Sequence, residues 1–143
     1  MIDLRQLFIE LAQVVRGAGS PDAETTAKRL DLDVSSAKIA KTKRGLLTIY
    51  GAHLRGDDVV VDLIASVAPR RAVDLLFKNS GIPYRAVEGQ IFGADQRVQH
   101  SKHSDGFAIL FQEGELTCGL TASGLNGVVD SVFCKAPRGA QPG

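Results

Sequence analysis

Near the amino terminus apolar residues recur at three- and four-residue steps. Leu4, Leu7, Phe8, Leu11, Val14 and Val15 make one stripe, and Arg5, Gln6, Glu10 and Gln13 lie opposite it. That pattern predicts a helix with one buried side. Gly17-Ala18-Gly19 stops it. Ser20 is the expected N-cap of a second, short helix, with Pro21 at its first position and Asp22 and Glu24 where the helix dipole favours acid. This helix runs to about Leu30.

From Val34 onward the period changes to two, with β-branched residues and Gly or Asp turns, as antiparallel strands require. Strands over 46–50 and 59–64 flank Arg55-Gly56-Asp57-Asp58, which reads as a hairpin turn. Val73, Leu75 and Phe77 alternate with Ala72, Asp74 and Leu76 in a further strand that Asn79-Ser80-Gly81 ends. Residues 84–92 read as a short helix. The stretch 93–105 has little periodicity and reads as the longest irregular loop, the class of segment that commonly carries function.

The last third predicts its own register. With a two-residue turn at Glu113-Gly114, Phe107 faces Leu120, Ile109 faces Cys118 and Phe111 faces Leu116. With a three-residue loop at Leu125-Asn126-Gly127, Cys118 faces Cys134 and Leu120 faces Val132. One sheet face then carries Phe107, Ile109, Phe111, Leu116, Cys118, Leu120, Val132 and Cys134, and a slip of one residue turns the whole set toward solvent. The expected fold is therefore α+β, with two amino-terminal helices packed on an antiparallel β-sheet that ends in a three-stranded meander. It occupies 1–136 as one domain, and 137–143 reads as a flexible tail.

Directly paired residues on adjacent strands have Cβ atoms roughly 4.5 to 5.5 Å apart, close to what a disulfide needs. Cys118 and Cys134 are thus expected to form a cross-strand bridge, which the loop-closure argument credits with about 3 kcal/mol. A stable bridge implies work outside the reducing cytosol. The competing uses are weaker. His100 and His103 with the two cysteines make a Cys2His2 inventory, but zinc sites draw cysteines in close pairs, so no metal is expected. A catalytic thiolate needs an electropositive, accessible site, whereas these cysteines sit among Phe and Leu.

Composition narrows the classes further. In 143 residues, seventeen Lys and Arg against sixteen Asp and Glu leave a formal charge of +1, with 44% hydrophobic and 23% charged residues. This is the balance of an ordinary globular domain, not of a dedicated nucleic-acid or anionic-membrane binder. The Lys38, Lys41, Lys43, Arg44 run and the Arg70-Arg71 pair lack the interleaved aromatics that stack bases, and read as solvated faces or edge protection. Asp3, Arg5 and Glu10 interrupt the first apolar run, so residues 1–10 do not read as a secretory leader. Phosphate loops, dinucleotide fingerprints, HExxH, GxSxG and CxxC motifs are all missing, so no cofactor and no catalytic residue is assigned.

A helix-plus-sheet layout with the Cys118/Cys134 pair resembles the small exported binders of Gram-negative bacteria, among them the immunity proteins that block peptidoglycan-cleaving effectors. The resemblance implies a non-enzymatic periplasmic inhibitor whose leader precedes Met1 and has been removed. Its partner would be a secreted effector enzyme such as an amidase, with no nucleic acid, no membrane insertion, and a homodimer allowed. Arg97, His100, Lys102, His103 and Asp105, on the irregular loop, are the expected contact residues because a charged loop on a rigid scaffold can enter a cleft. Two other classes stand beside this one. A small cytoplasmic hydrolase or thiol enzyme would use His103, Asp105 or Cys118, and a nucleic-acid module would use Lys38 to Arg44.

Overall fold

A computed structural model describes residues 2–17, 21–56, 59–84, 87, 98–103, 106–123 and 127–137; for 98–103 and 107 it is the backbone that is described. Helix α1 (Leu4–Arg16) begins where the Asp3 carboxylate accepts the Gln6 N–H at 3.1 Å. Its far end is held by arginines. Arg71 Nε donates to Val15 O at 2.6 Å, while Arg16 donates to Glu113 O at 3.0 Å and to the Glu115 carboxylate at 3.2 Å. The Arg71 bond satisfies a carbonyl that the helix end leaves open, and the Arg16 bonds clamp α1 to the β7–β8 hairpin.

Helix α2 (Ala23–Arg29) starts later than the Ser20-Pro21 signal predicts. Asp22 is its cap, accepting from Thr25 N at 3.0 Å and Thr25 Oγ1 at 2.8 Å. Those two bonds hold the Asp22 carboxyl below its ordinary pKa, the backbone bond contributing most. Pro21 therefore precedes the helix, and Ser20 lies outside the described residues.

Among the described residues, nine strands form a single antiparallel sheet: β1 (Leu32–Asp33), β2 (Lys38–Lys41), β3 (Leu47–Leu54), β4 (Val59–Ser66), β5 (Ala72–Phe77), β6 (Val98–His103), β7 (Gly106–Glu113), β8 (Leu116–Ala122) and β9 (Val129–Lys135). The order is β1-β3-β4-β5-β9-β8-β7-β6, with β2 also on β3. The fold is α+β and mostly sheet. Two runs of sequential strands, β3-β4-β5 and β6-β7-β8-β9, meet where β5 pairs with β9, from Ala72 opposite Lys135 to Leu76 opposite Ser131. α1 lies over this seam, and its Phe8 ring meets Phe111 edge-on at 5.0 Å between centroids. Leu11 of α1 and Leu47, Ile49, Val61, Leu63, Leu75, Ile109, Leu120 and Val132 of the sheet are fully buried in one core.

Three expectations are corrected. The first hairpin turns at Gly114-Glu115, so Phe107 pairs with Ala122, Ile109 with Leu120 and Phe111 with Cys118. Gly114 has φ +61, and a two-residue loop with a positive φ at its first central position is the turn that suits strand twist. Because the register moves by two residues, Ile109, Phe111, Leu116, Cys118 and Leu120 keep the buried face. The second correction is the strand predicted over 46–50. It runs on to Leu54 through a bulge, with Gly51 at φ +72 and its N–H bonded to Asp62 Oδ1 at 2.9 Å.

The third concerns the stretch predicted as an irregular loop. Residues Val98–His103 are edge strand β6, paired with β7 from Val98 opposite Phe111 to His103 opposite Gly106. An edge strand is held by a backbone ladder on one side, so its sequence VQHSKH carries no apolar alternation to announce it. Of the helix predicted over 84–92, Tyr84 and Val87 are described, and of the tail 137–143, Pro137 alone.

Gly119 shows how tightly the middle of the sheet is built. A Cβ there would lie 2.3 Å from Ile109 O and 2.8 Å from the Phe133 ring, which lies over the glycine. Gly119→Ala is expected to lower unfolding free energy by about 1–3 kcal/mol through overpacking, seen as a lower urea midpoint at unchanged slope. A midpoint equal to the parent's would show that Phe133 and the strand move aside freely.

Candidate functional site

α1 covers one side of the sheet; the side chains of the opposite phase form its outer face. Strand pairing places these outer residues in rows. One row runs Ala40, Thr48, Ile64, Asp74, Phe133, Gly119, Leu110, and beside it lies Asp62, Leu76, Ser131, Thr121, Ala108. Tyr50, opposite Lys38 on β2, extends the second row past the bulge. Tyr50 is 49% exposed, Leu76 39% and Ile64 36%. Three large apolar side chains therefore stand on adjacent strands of a face where alternation would place polar residues.

Two carboxylates are set into this face in different ways. Asp62 is tied down. It accepts the Gly51 N–H, and Lys78 Nζ lies 3.4 Å from its other oxygen. Asp74, between Ile64 and Phe133 in the register, makes no hydrogen bond or ion pair with any described residue. Burial raises its pKa, opposed from a distance by Lys135 and Arg70. Lys135 is occupied elsewhere, its ammonium standing 4.7 Å from the centroid of the Phe133 ring.

At the β1 end of the sheet, Asp33 pairs with His53 across the strands, and Asp33, Ser36, His53, Leu54, Arg55 and Gly56 line an open recess of about 450 Å³. Asp33 Oδ1 accepts the Ser35 N–H at 3.0 Å, and this bond is the chief reason its carboxyl stays below the usual aspartate range. A second recess of about 290 Å³ lies between α1, α2 and Leu54, where Arg29 pairs with Glu10 at 3.6 Å and Arg55 with Asp31 at 3.8 Å. Both of its arginines are already paired, and Asp3 on its rim caps α1.

The expected contact residues are not assembled as a loop. His100, Lys102 and His103 stand on β6 opposite Ile109, Phe107 and Gly106, while Arg97 and Asp105 lie outside the described residues. Lys38 and Lys41 are exposed on β2, a position where charge guards a sheet edge. Cys118 and Cys134 stand opposite each other and are completely buried, but they are free thiols rather than the expected bridge. Register decides which residues meet; the bond also requires an oxidant, which folding does not supply. The hydrogen bond to Cys118, reinforced by burial, pushes the Cys134 thiol pKa up, and Cys134 Sγ lies 4.0 Å from Phe8 O. Among the described residues, no group of three His, Cys, Asp or Glu is placed to hold a metal.

Ile64, Leu76 and Asp74 were not singled out from the sequence, although a signal exists. In 59–64 and 72–77 the inward phase is Val61, Leu63, Val73, Leu75 and Phe77, so Ile64 and Leu76 are apolar residues at polar positions. No known protein family, curated protein or solved structure matches this chain.

A group whose pKa is higher folded than unfolded favours the native state below its unfolded pKa and loses that contribution as pH rises through the folded value. Asp74 is such a group. Asp74→Asn is expected to be more stable than the parent at pH 7, with the advantage shrinking as pH falls through the ordinary aspartate range. Urea midpoints at pH 7 and pH 3 test this, and a variant less stable at pH 7 would mean that Lys135 or Arg70 holds the carboxylate.

Proposed function

We propose that this chain is a non-enzymatic inhibitor or immunity protein that docks on an effector enzyme and occludes its active site. The observation that carries the reading is the outer sheet face, where Tyr50, Ile64 and Leu76 stand exposed together on three hydrogen-bonded strands. Large apolar side chains exposed near one another on a rigid surface, here around the Asp62–Lys78 pair, are the usual mark of a protein contact, and aromatic residues are enriched in such contacts. The hydrolase and thiol-enzyme readings have less in their favour. Both cysteines are inaccessible and Cys134 resists ionisation, which is the opposite of a catalytic thiolate.

The work is assigned to the periplasm, against a peptidoglycan-cleaving enzyme such as an amidase. What supports the compartment is the direct opposition of Cys118 and Cys134, which become a bridge when two hydrogens pass to an oxidant there. Protein recovered from a periplasmic fraction and measured without reductant should be lighter by about 2 Da than the reduced chain. An unchanged mass that falls only after treatment with a disulfide oxidant would place the working protein in a reducing compartment.

The inhibitor reading is tested with effector enzymes encoded beside the gene, by following peptidoglycan cleavage with and without this protein. Inhibition is expected at nearly stoichiometric protein. Leu76→Thr, which suits a strand and adds no charge opposite Asp62, is expected to raise the dissociation constant about tenfold, or roughly 1.4 kcal/mol. Cleavage that proceeds unimpeded with every such enzyme would sink the proposal.

A further inference from the structure

We infer that the outer face takes an arginine side chain of the partner at Asp74, flanked by apolar partner residues that cover Ile64 and Leu76. This rests on the protein-binding reading above and names the partner's chemistry. A carboxylate between Ile64 and Phe133 loses hydration without gaining a contact in return, since no described residue bonds to it. Asp62, its neighbour on the same face, shows the contrast. That carboxylate has both a backbone N–H and a lysine ammonium.

The nearest candidates for Asp74 do not close the pair. The Lys135 ammonium rests over the Phe133 ring, and Arg70 belongs to the β4–β5 connection and acts on Asp74 without touching it. Asp74 thus offers a carboxylate that no described residue bonds or pairs with at contact distance, set between Ile64 and Phe133, with Lys135 and Arg70 acting on it only from a distance. Its complement is a cation that tolerates removal from water. Guanidinium is more weakly hydrated than ammonium and binds a carboxylate through two parallel N–H donors, which selects arginine over lysine. Apolar flanks are required by the exposed Ile64 and Leu76 on either strand.

The test uses the intact protein and two synthetic peptides, Ac-Leu-Arg-Leu-NH2 and Ac-Leu-Glu-Leu-NH2, followed by amide chemical shifts. The arginine peptide is expected to bind with a dissociation constant of about 1 mM, with shifts centred on Ile64, Asp74, Leu76 and Phe133. The glutamate peptide should bind at least about tenfold more weakly, and Asp74→Asn should remove most of the difference. Asp74→Asn is expected to gain stability while losing the ligand, a combination that a purely structural residue would not produce. Equal shifts with both peptides, shifts away from this face, or an Asp74→Asn response equal to the parent's would overturn the inference. Inhibition of an effector together with any of those results would remove the arginine assignment alone. Peptide binding without inhibition of any effector would remove the inhibitor reading alone.

Discussion

The pairing of β5 with β9 holds this molecule together. Each of the two strand runs is local in sequence, and each would leave an unpaired strand at its inner edge. Only at the seam, where Val73 meets Cys134 and Leu75 meets Val132, do residues some sixty positions apart in the chain close the sheet. Such a contact carries the loop-closure cost of a long intervening chain, so it needs reinforcement. α1 provides it by laying Leu4, Leu7, Phe8 and Leu11 across the join, and Arg16 and Arg71 fasten its last turn to the strands around it. The backbone bridge of Pro83 with Val128 and the bond from Val129 N to Ile82 O tie the chain just after β5 to the start of β9.

Among the described residues α1 covers one side of the sheet, and part of the other side is open to water. Most of that side is managed conventionally, with Thr117, Thr121 and Ser131 outward and with Phe133 folded down over Gly119. The part over β3, β4 and β5 is not. There Tyr50, Ile64 and Leu76 are exposed, and Asp74 is dehydrated without a partner. Each costs the free protein some stability, the pattern expected where a surface serves binding rather than folding. The buried thiols, by contrast, belong to the core, where Cys134 Sγ lies 4.0 Å from Phe8 O of α1.

Local chemistry explains how much could be read in advance. The apolar stripe of α1 is strictly periodic, and Asp3 and Gly17 stand at its ends as cap and stop. In β8 and β9 alternation and turn spacing agree, so Cys118 opposite Cys134 and Leu120 opposite Val132 could be written down from the chain. Where two local signals competed, the reading slipped by small amounts. Gly114 suits either position of a two-residue turn on paper, and Ser20 and Asp22 both make good caps. β6 was illegible for a different reason, because an edge strand made of VQHSKH is defined by its neighbour's backbone.

By itself, then, the sequence determined the helices, most of the strands, the buried phase of each, and the meeting of the two cysteines, since all of these follow from periodicity and short-range turn geometry. Tertiary structure decided that β5 joins β9, which side of the sheet α1 covers, and consequently that Ile64, Leu76 and Asp74 face outward together. The local β4–β5 hairpin sets Ile64 beside Asp74, with Leu76 two residues further along, and the side they share stays outward because α1 covers the other. Alternation within β5 marks its buried side but does not encode that the strand beside it is β9, some sixty residues further along the chain.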